Sequence, residues 1–244
     1  MAALREGPFY DVWSEDTTFR VDGGDVRAFH ARPDGVPLAG VVLHPDIMGL
    51  RPLFEDMARR LATHGFAVFA PDPFWRLTEE QRTNVEARMA AVRELDDADQ
   101  IADLEAAADR LVVDDDVGLV SVLGFCIGGY YTFKAAAGDR FDRAVAFYGM
   151  LRTPENWKGP GHKDPLDLVA QVCPTLAIFG SNDPYSPPED IEALRRAWAD
   201  RTDCEIIVVE GAEHGFVHDP DRPAHRPEDA ARCWDRALEW MKPR

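Results

Sequence analysis

The sequence has little cysteine and no long apolar run. Its 244 residues include four cysteines, none in a Cys-x-x-Cys pair and none spaced with histidine as metal ligands are, so nothing suggests a disulfide framework or a metal site. No stretch approaches the roughly 18 apolar residues that span a membrane, and the first residues lack the apolar core of a signal peptide. We therefore expect a cytoplasmic protein with free thiols, no metal and no other cofactor. The four cysteines are Cys126, Cys173, Cys204 and Cys233.

Basic residues are also scarce. The chain has 27 Lys and Arg against 44 Asp and Glu, which gives a formal net charge of −17. Such a charge repels phosphate backbones and anionic lipid surfaces, so we expect neither a nucleic-acid nor a membrane partner. It would also repel an anionic small molecule, and binding one would require arginines placed locally at the site.

The whole composition, 45% apolar and 29% charged, fits one α/β domain over residues 1–244. Residues 17–31 alternate apolar and polar side chains around Gly23 and Gly24, which predicts a hairpin at a sheet edge. After it, short apolar runs typical of buried parallel strands alternate with helical segments. This alternation predicts a doubly wound, mostly parallel sheet. The predicted strands are 40–44, 66–70, 117–123, 144–148, 175–179 and 205–209, and the predicted helices are 52–65, 79–92, 99–113, 130–137, 188–200 and 226–241.

Residues 124–129, Gly-Phe-Cys-Ile-Gly-Gly, join a predicted buried strand to a predicted helix. A small-x-nucleophile-x-small pattern at such a junction is typical of a nucleophile elbow, here with Cys126 in place of serine. Larger side chains two positions away would collide with the strand or the helix, which explains the glycines. The turn would place the sulfur at a helix N-terminus, where backbone dipoles favour a thiolate. The alternative is a glycine-rich turn with an ordinary buried cysteine.

A cysteine nucleophile needs a base and an acid that orients the base. In α/β-hydrolases the chain order is nucleophile, acid, histidine, and here Cys126 is followed by Asp183 and His214, each just past a predicted strand. Either residue alone could be an ordinary loop residue, but the three in this order predict a catalytic triad. The backbone N–H groups of Ile127 and Ile47 would then form the oxyanion hole.

Three segments together carry a resemblance to a known family. They are Gly-Phe-Cys-Ile-Gly-Gly at 124–129, Gly-Ser-Asn-Asp at 180–183 and Gly-Ala-Glu-His-Gly-Phe at 211–216. With them the chain resembles the dienelactone hydrolase family from about residue 17 to residue 241. The resemblance implies a single-domain α/β-hydrolase fold, with Cys126 as the nucleophile, His214 as the base and Asp183 as its partner.

The resemblance also implies groups that surround the substrate. The archetype of the family has a Glu-Ile-Phe-Gly loop whose glutamate pairs with the resting thiol, and the matching stretch here begins at Asp46. The shorter aspartate could pair with Cys126 or could cap the loop. The archetype holds a substrate carboxylate with two arginines. One of them matches Arg82, whereas the other position holds His218, and a neutral imidazole binds a carboxylate less strongly than a guanidinium does.

We therefore expect an enzyme, a monomer or a small homo-oligomer, that hydrolyses a small lactone or activated ester of the dienelactone type. A thiolate leaves a tetrahedral intermediate more readily than an alkoxide does, so amides and plain alkyl esters should be poor substrates. One alternative is a general carboxylesterase or thioesterase of the same fold. The other is a catalytically silent scaffold that binds or senses a ligand.

Overall fold

The computed structural model describes residues 1–8 and 11–243, and it contains one sheet of eight strands. The spatial order is β1-β2-β4-β3-β5-β6-β7-β8. The prediction of one domain over 1–244 includes residues 9, 10 and 244, which lie outside the described residues. The strands are β1 (Val12–Val21), β2 (Gly24–Pro33), β3 (Ala39–His44), β4 (Phe66–Pro71), β5 (Val120–Phe125), β6 (Arg143–Phe147), β7 (Thr175–Gly180) and β8 (Cys204–Val209).

The predicted hairpin is confirmed as the antiparallel pair of β1 and β2, with β1 at the edge of the sheet. Val21 is the register partner of Gly24, and the turn between them contains Gly23 at a φ of 91°. Strand β2 is antiparallel to β4, and every pairing from β4 to β8 is parallel. The mostly parallel sheet is therefore also as predicted.

Helices cover both faces of the sheet, which is why strands β3, β4, β5 and β7 are buried along their whole length. One apolar cluster includes Leu104, Phe133 and Leu194, and the cluster on the other face includes Phe54 and Trp234. No helix in the described part of the chain has the length and apolar character needed to cross a membrane. The helices are α1 (Pro52–Thr63), α2 (Glu79–Thr83), α3 (Val85–Ala91), α4 (Asp97–Asp115), α5 (Ile127–Ala136), α6 (Pro188–Ala197) and α7 (Pro227–Met241).

The structure corrects the prediction of one helix over 79–92. Asn84 interrupts it with an extended backbone, φ −111° and ψ 120°. Its side chain accepts hydrogen bonds from the N–H groups of Glu86 and Ala87 and thereby starts a new helix, α3. The break sets the direction of the side chains on α3, one of which, Arg88, contacts the site.

Candidate active site

Strand β5 brings Cys126 to the carboxyl end of the sheet, and α5 begins at the next residue. The Cys126 backbone has φ 58° and ψ −117°, a conformation that costs a non-glycine residue on the order of 1–3 kcal/mol. Two hydrogen bonds hold it there. The Cys126 N–H donates to the carbonyl of Phe147 at 3.1 Å, and the Cys126 carbonyl accepts from the N–H of Tyr130 at 3.0 Å.

The glycines around the elbow are required by close backbone contacts. A Cβ atom on Gly124 would lie 2.2 Å from the carbonyl oxygen of Gly128. A Cβ atom on Gly128 would lie 2.4 Å from the carbonyl oxygen of His44, at the end of β3. Both contacts are with backbone atoms that cannot move aside, so only glycine lets the strand, the turn and α5 pack this closely.

The loops that follow β7 and β8 bring Asp183 and His214 together. The Asp183 carboxylate lies 2.7 Å from Nδ1 of His214, and its other oxygen accepts the N–H of Tyr185 at 2.9 Å. Asp183 is only 3% exposed, so its hydrogen bond to the imidazole is shielded from solvent. The rings of Tyr148 and Tyr185 pack edge-on against His214 with centroids at 5.1 and 4.9 Å. These contacts fix the orientation of the imidazole.

The protonation of His214 depends on both of its partners. Burial lowers the pKa of His214, but hydrogen bonds to Asp183 and to Cys126 outweigh burial and raise it to about 10. The imidazole therefore carries a proton at neutral pH. Once the sulfur is acylated, the attraction of its charge is lost, so the imidazole becomes a better base for activating water.

The residues after β3 form a tight turn beside Cys126. The Gly49 N–H donates to the carbonyl of Asp46 at 2.9 Å, and Gly49 has a φ of 75°, which suits glycine. In a trans peptide the C=O and N–H point in opposite directions, so this bond turns the Ile47 N–H away from Gly49. Within the described residues, the Ile47 N–H has no hydrogen-bond acceptor. Ile47 and Cys126 line the same pocket, which supports the predicted use of the Ile47 N–H together with that of Ile127.

The Asp46 carboxylate is 1% exposed and caps this turn. It accepts the Met48 N–H at 2.9 Å, two hydrogen bonds from Arg51 at 2.6 and 3.1 Å, and one from Nε2 of His218 at 2.9 Å. Burial raises the pKa of Asp46, but His218 and Arg51 outweigh burial and hold it well below its usual value. Among the described residues, the Asp46 carboxylate bonds to Met48, Arg51 and His218 and not to the Cys126 sulfur, so the arrangement favours the loop-capping alternative for Asp46.

His218 lies behind Asp46 and is fully buried. Its Nδ1 is 2.5 Å from the hydroxyl of Tyr148, and burial holds the pKa of that hydroxyl well above its usual value. Burial also lowers the pKa of His218, which fits a neutral ring that accepts from Tyr148 and donates to Asp46. Both nitrogens are thus engaged by protein. His218 is not among the residues that line the pocket, so the structure does not bring it to a substrate as the resemblance implied.

A pocket of about 350 Å³ opens over Cys126 and His214. Its walls are largely apolar, and they also carry two arginines. The predicted Arg82 is not one of them, since it is exposed on α2. Within the described residues, no group of three His, Cys, Asp or Glu side chains could hold a metal ion. The lining residues are Asp46, Ile47, Met48, Arg51, Met89, Cys126, Met150, Trp157, Tyr185, His214, Asp219 and Arg222.

The two arginines differ in their partners. Arg51 is paired with Asp46 and lies 4.0 Å from Asp219. Arg222 packs on the backbone beside His214, because a Cβ atom on Gly215 would lie 2.8 Å from its guanidinium carbon. In the described part of the chain no carboxylate pairs with Arg222. The sequence shows that this arginine follows His214 by eight residues but cannot show that it is unpaired.

The sheet, the elbow after β5 and the loops after β7 and β8 define an α/β-hydrolase fold. The model of the dienelactone hydrolase family matches residues 26–244. A carboxymethylenebutenolidase of Rhodococcus opacus is 31% identical over 227 residues, which cover 91% of this chain and 88% of that protein. An Escherichia coli K12 protein named "Putative carboxymethylenebutenolidase" is 32% identical over 235 residues, covering 93% of this chain and 85% of that protein.

A solved structure agrees with these matches. The crystal structure of a "Putative Dienelactone Hydrolase" from Klebsiella pneumoniae superposes with a TM-score of 0.86 at 29% identity. The match covers 95% of this chain and 99% of that one. The chain therefore belongs to the dienelactone hydrolase family, and it is a hydrolase.

Proposed function

We propose that this enzyme hydrolyses a lactone or an activated ester of the carboxymethylenebutenolide type through an acyl-enzyme on Cys126. The observation that carries the proposal is the hydrogen-bonded pair of His214 and Asp183, whose imidazole lines one pocket with the strained Cys126. The names of the relatives support the substrate class.

In the first half of the reaction the Cys126 thiolate attacks the carbonyl carbon. The charge that develops on oxygen is stabilised by the N–H groups of Ile47 and Ile127. The intermediate then expels the leaving oxygen, which takes the proton from His214. In the second half, neutral His214 removes a proton from water, the hydroxide attacks the thioester, and the thiolate leaves while His214 keeps the proton.

The thiol nucleophile restricts which substrates turn over. The first intermediate must expel oxygen rather than sulfur, and this is favourable only when the leaving oxygen is stabilised, as an enolate or a phenolate is. An enol-lactone meets the requirement, because opening the ring releases an enolate. Plain alkyl esters and amides do not.

Arg222 supports the choice of a substrate that also carries a carboxylate. Its guanidinium lines the pocket and has no carboxylate partner among the described residues, and a bound anion would supply one. A charge-assisted bidentate contact of this kind is worth about 1.5–3 kcal/mol, or roughly 10- to 150-fold in binding. This local charge would offset the repulsion from a chain of net charge −17.

The test is a steady-state assay of wild type, Cys126→Ala and Arg222→Gln near neutral pH, with cis-dienelactone and p-nitrophenyl acetate. We expect wild type to hydrolyse both, with the larger kcat/KM for the lactone, and Cys126→Ala to hydrolyse neither. Arg222→Gln should raise KM for the lactone about 10-fold or more. It should leave the neutral aryl ester nearly unaffected, because that ester has no carboxylate.

A general carboxylesterase or thioesterase is the second candidate. The largely apolar wall of the pocket, which includes Met48, Met89 and Met150, favours it, because methionine adapts to differently shaped groups. Cys126-dependent activity on the aryl ester alone would support this candidate. Absence of Cys126-dependent activity on either substrate would instead favour a silent binding or sensing scaffold.

The proposal extends to the cellular compartment and the oligomeric state of the protein. A thiol nucleophile must stay reduced, and all four cysteines are free thiols in the structure, which supports a reducing compartment such as the cytoplasm. The net charge supports a protein without a nucleic-acid or membrane partner. We expect a monomer or a small homo-oligomer, which light scattering on the eluting peak of a sizing column would determine.

A further inference from the structure

Arg88 is a buried cation outside the groups that the mechanism uses. It is 6% exposed, and its Nη1 donates to the carbonyl of Ile47 at 2.9 Å, across 41 positions of sequence. Its guanidinium carbon lies over the ring of Phe74 at 5.2 Å, and its Nε has no hydrogen-bond partner in the described structure. Burying a guanidinium is costly unless it is well paired. Asp72 and Asp46 act favourably on its charge, and the bond to the Ile47 carbonyl is the hydrogen bond that its side chain makes among the described residues.

With this contact, hydrogen bonds hold both the peptide group before Ile47 and the peptide group after it. The peptide before Ile47 is fixed by the Gly49 N–H, which donates to the Asp46 carbonyl. The peptide after Ile47 is fixed at both ends: its carbonyl accepts from Arg88, and its N–H, on Met48, donates to the Asp46 carboxylate. With both flanking peptides fixed, the direction of the Ile47 N–H is determined.

We propose that Arg88 is a positioning residue for the reaction: by holding the Ile47–Met48 peptide it fixes the backbone at Ile47, and so keeps the N–H of the preceding Asp46–Ile47 peptide directed at the developing oxyanion. This inference rests on the proposed function, because it requires an acyl-transfer reaction at Cys126. Without Arg88 the Ile47 carbonyl loses its buried donor, so the Ile47–Met48 peptide can rotate and the backbone at Ile47, with the direction of its N–H, is no longer fixed on that side. The N–H would then reach the oxyanion less often, while the ground-state fit of the substrate would change little.

The experiment compares Arg88→Met and Arg88→Lys with wild type. Arg93→Met is the control, since it removes the same charge from an exposed position in the next helical segment. The acylation rate constant for p-nitrophenyl acetate is measured from the burst of p-nitrophenolate. We expect Arg88→Met to lower it about 10- to 100-fold with KM little changed. Arg88→Lys, which keeps a donor and the charge, should recover part of the loss, and Arg93→Met should match wild type.

A second readout separates this role from a general structural one. Alkylation of Cys126 by iodoacetamide uses the same thiolate but forms no oxyanion, so its rate should be equal in wild type and Arg88→Met. Unchanged acylation in Arg88→Met would overturn the inference. A parallel loss of acylation and alkylation would also overturn it, because Arg88 would then support the whole site. Failure of the proposed function is separate, since it would appear as wild-type activity that does not require Cys126.

Discussion

Gly180→Ala should separate the two loops that carry the acid and the base. Gly180 ends β7, and a Cβ atom on it would lie 2.2 Å from the carbonyl oxygen of Ala212. The backbone at Ala212 would have to retreat by about 0.8 Å merely to restore a 3.0 Å contact. That carbonyl also accepts the N–H of Asn182 at 2.9 Å, so the shift strains the hydrogen bond between the loops. His214 follows two residues later and would move away from Asp183.

The expected cost is larger for catalysis than for stability. A misplacement near 1 Å can lower turnover about 100-fold. Overpacking of this kind costs about 1–3 kcal/mol, and for a chain of this length each kcal/mol lowers Tm by roughly 2–4 °C. Gly180→Ala should therefore remain folded at 25 °C while its kcat on p-nitrophenyl acetate falls about 100-fold.

Gly118→Ala is the matched control, because a Cβ atom there would meet nothing within 4 Å. It should keep the wild-type kcat and Tm. Differential scanning fluorimetry and steady-state kinetics on the three proteins make the comparison. If Gly180→Ala kept both the kcat and the Tm of Gly118→Ala, the reasoning from close contact would be refuted.

Three further predictions concern the hydrogen bonds around the site. Asp183→Asn removes a hydrogen bond that raises the pKa of His214, so the pH–rate profile should shift to lower pH. The kcat should fall about 100-fold or more. An unshifted profile would contradict this. Because the pKa of Asp46 is depressed in the fold, its carboxylate stabilises the protein above about pH 4, and this contribution is lost as pH falls further. Circular dichroism should show that wild type loses stability as the pH falls below about 4. The stability of Asp46→Asn should depend less on pH in the same interval. Tyr148→Phe leaves Nδ1 of His218 without a donor and should cost about 1–3 kcal/mol in urea unfolding, whereas a cost near zero would show that the bond is not needed.

The sequence was sufficient for the fold because burial in a parallel sheet leaves a direct pattern. Strands covered on both faces must be apolar throughout, so runs such as 66–70 predicted β4 to within one residue. The rule that polar site residues follow the carboxyl ends of parallel strands predicts that Cys126, Asp183 and His214 lie together. The elbow pattern around Cys126 and the order nucleophile, acid, histidine then identify the three residues.

The surroundings of the site depend on contacts that a linear pattern does not encode. The pattern over 79–92 predicts one helix, and the resemblance points to Arg82 in it. In the structure the cap at Asn84 starts a new helix, from which Arg88 reaches the Ile47 carbonyl. His218 occupies the position of an arginine in the family, but its partners Asp46 and Tyr148 come from segments 172 and 70 positions away. Pairing of this kind is decided by the folded structure.

The central claim is that Cys126 forms a covalent acyl-enzyme, and mass spectrometry tests it most directly. The His214→Ala variant, which lacks the base for the second half of the reaction, is mixed with p-nitrophenyl acetate and measured as intact protein and as peptides. The account predicts one acetyl group per chain, located on Cys126 and absent from Cys126→Ala. An acetyl group on another residue, or wild-type turnover without any acylated cysteine, would contradict it.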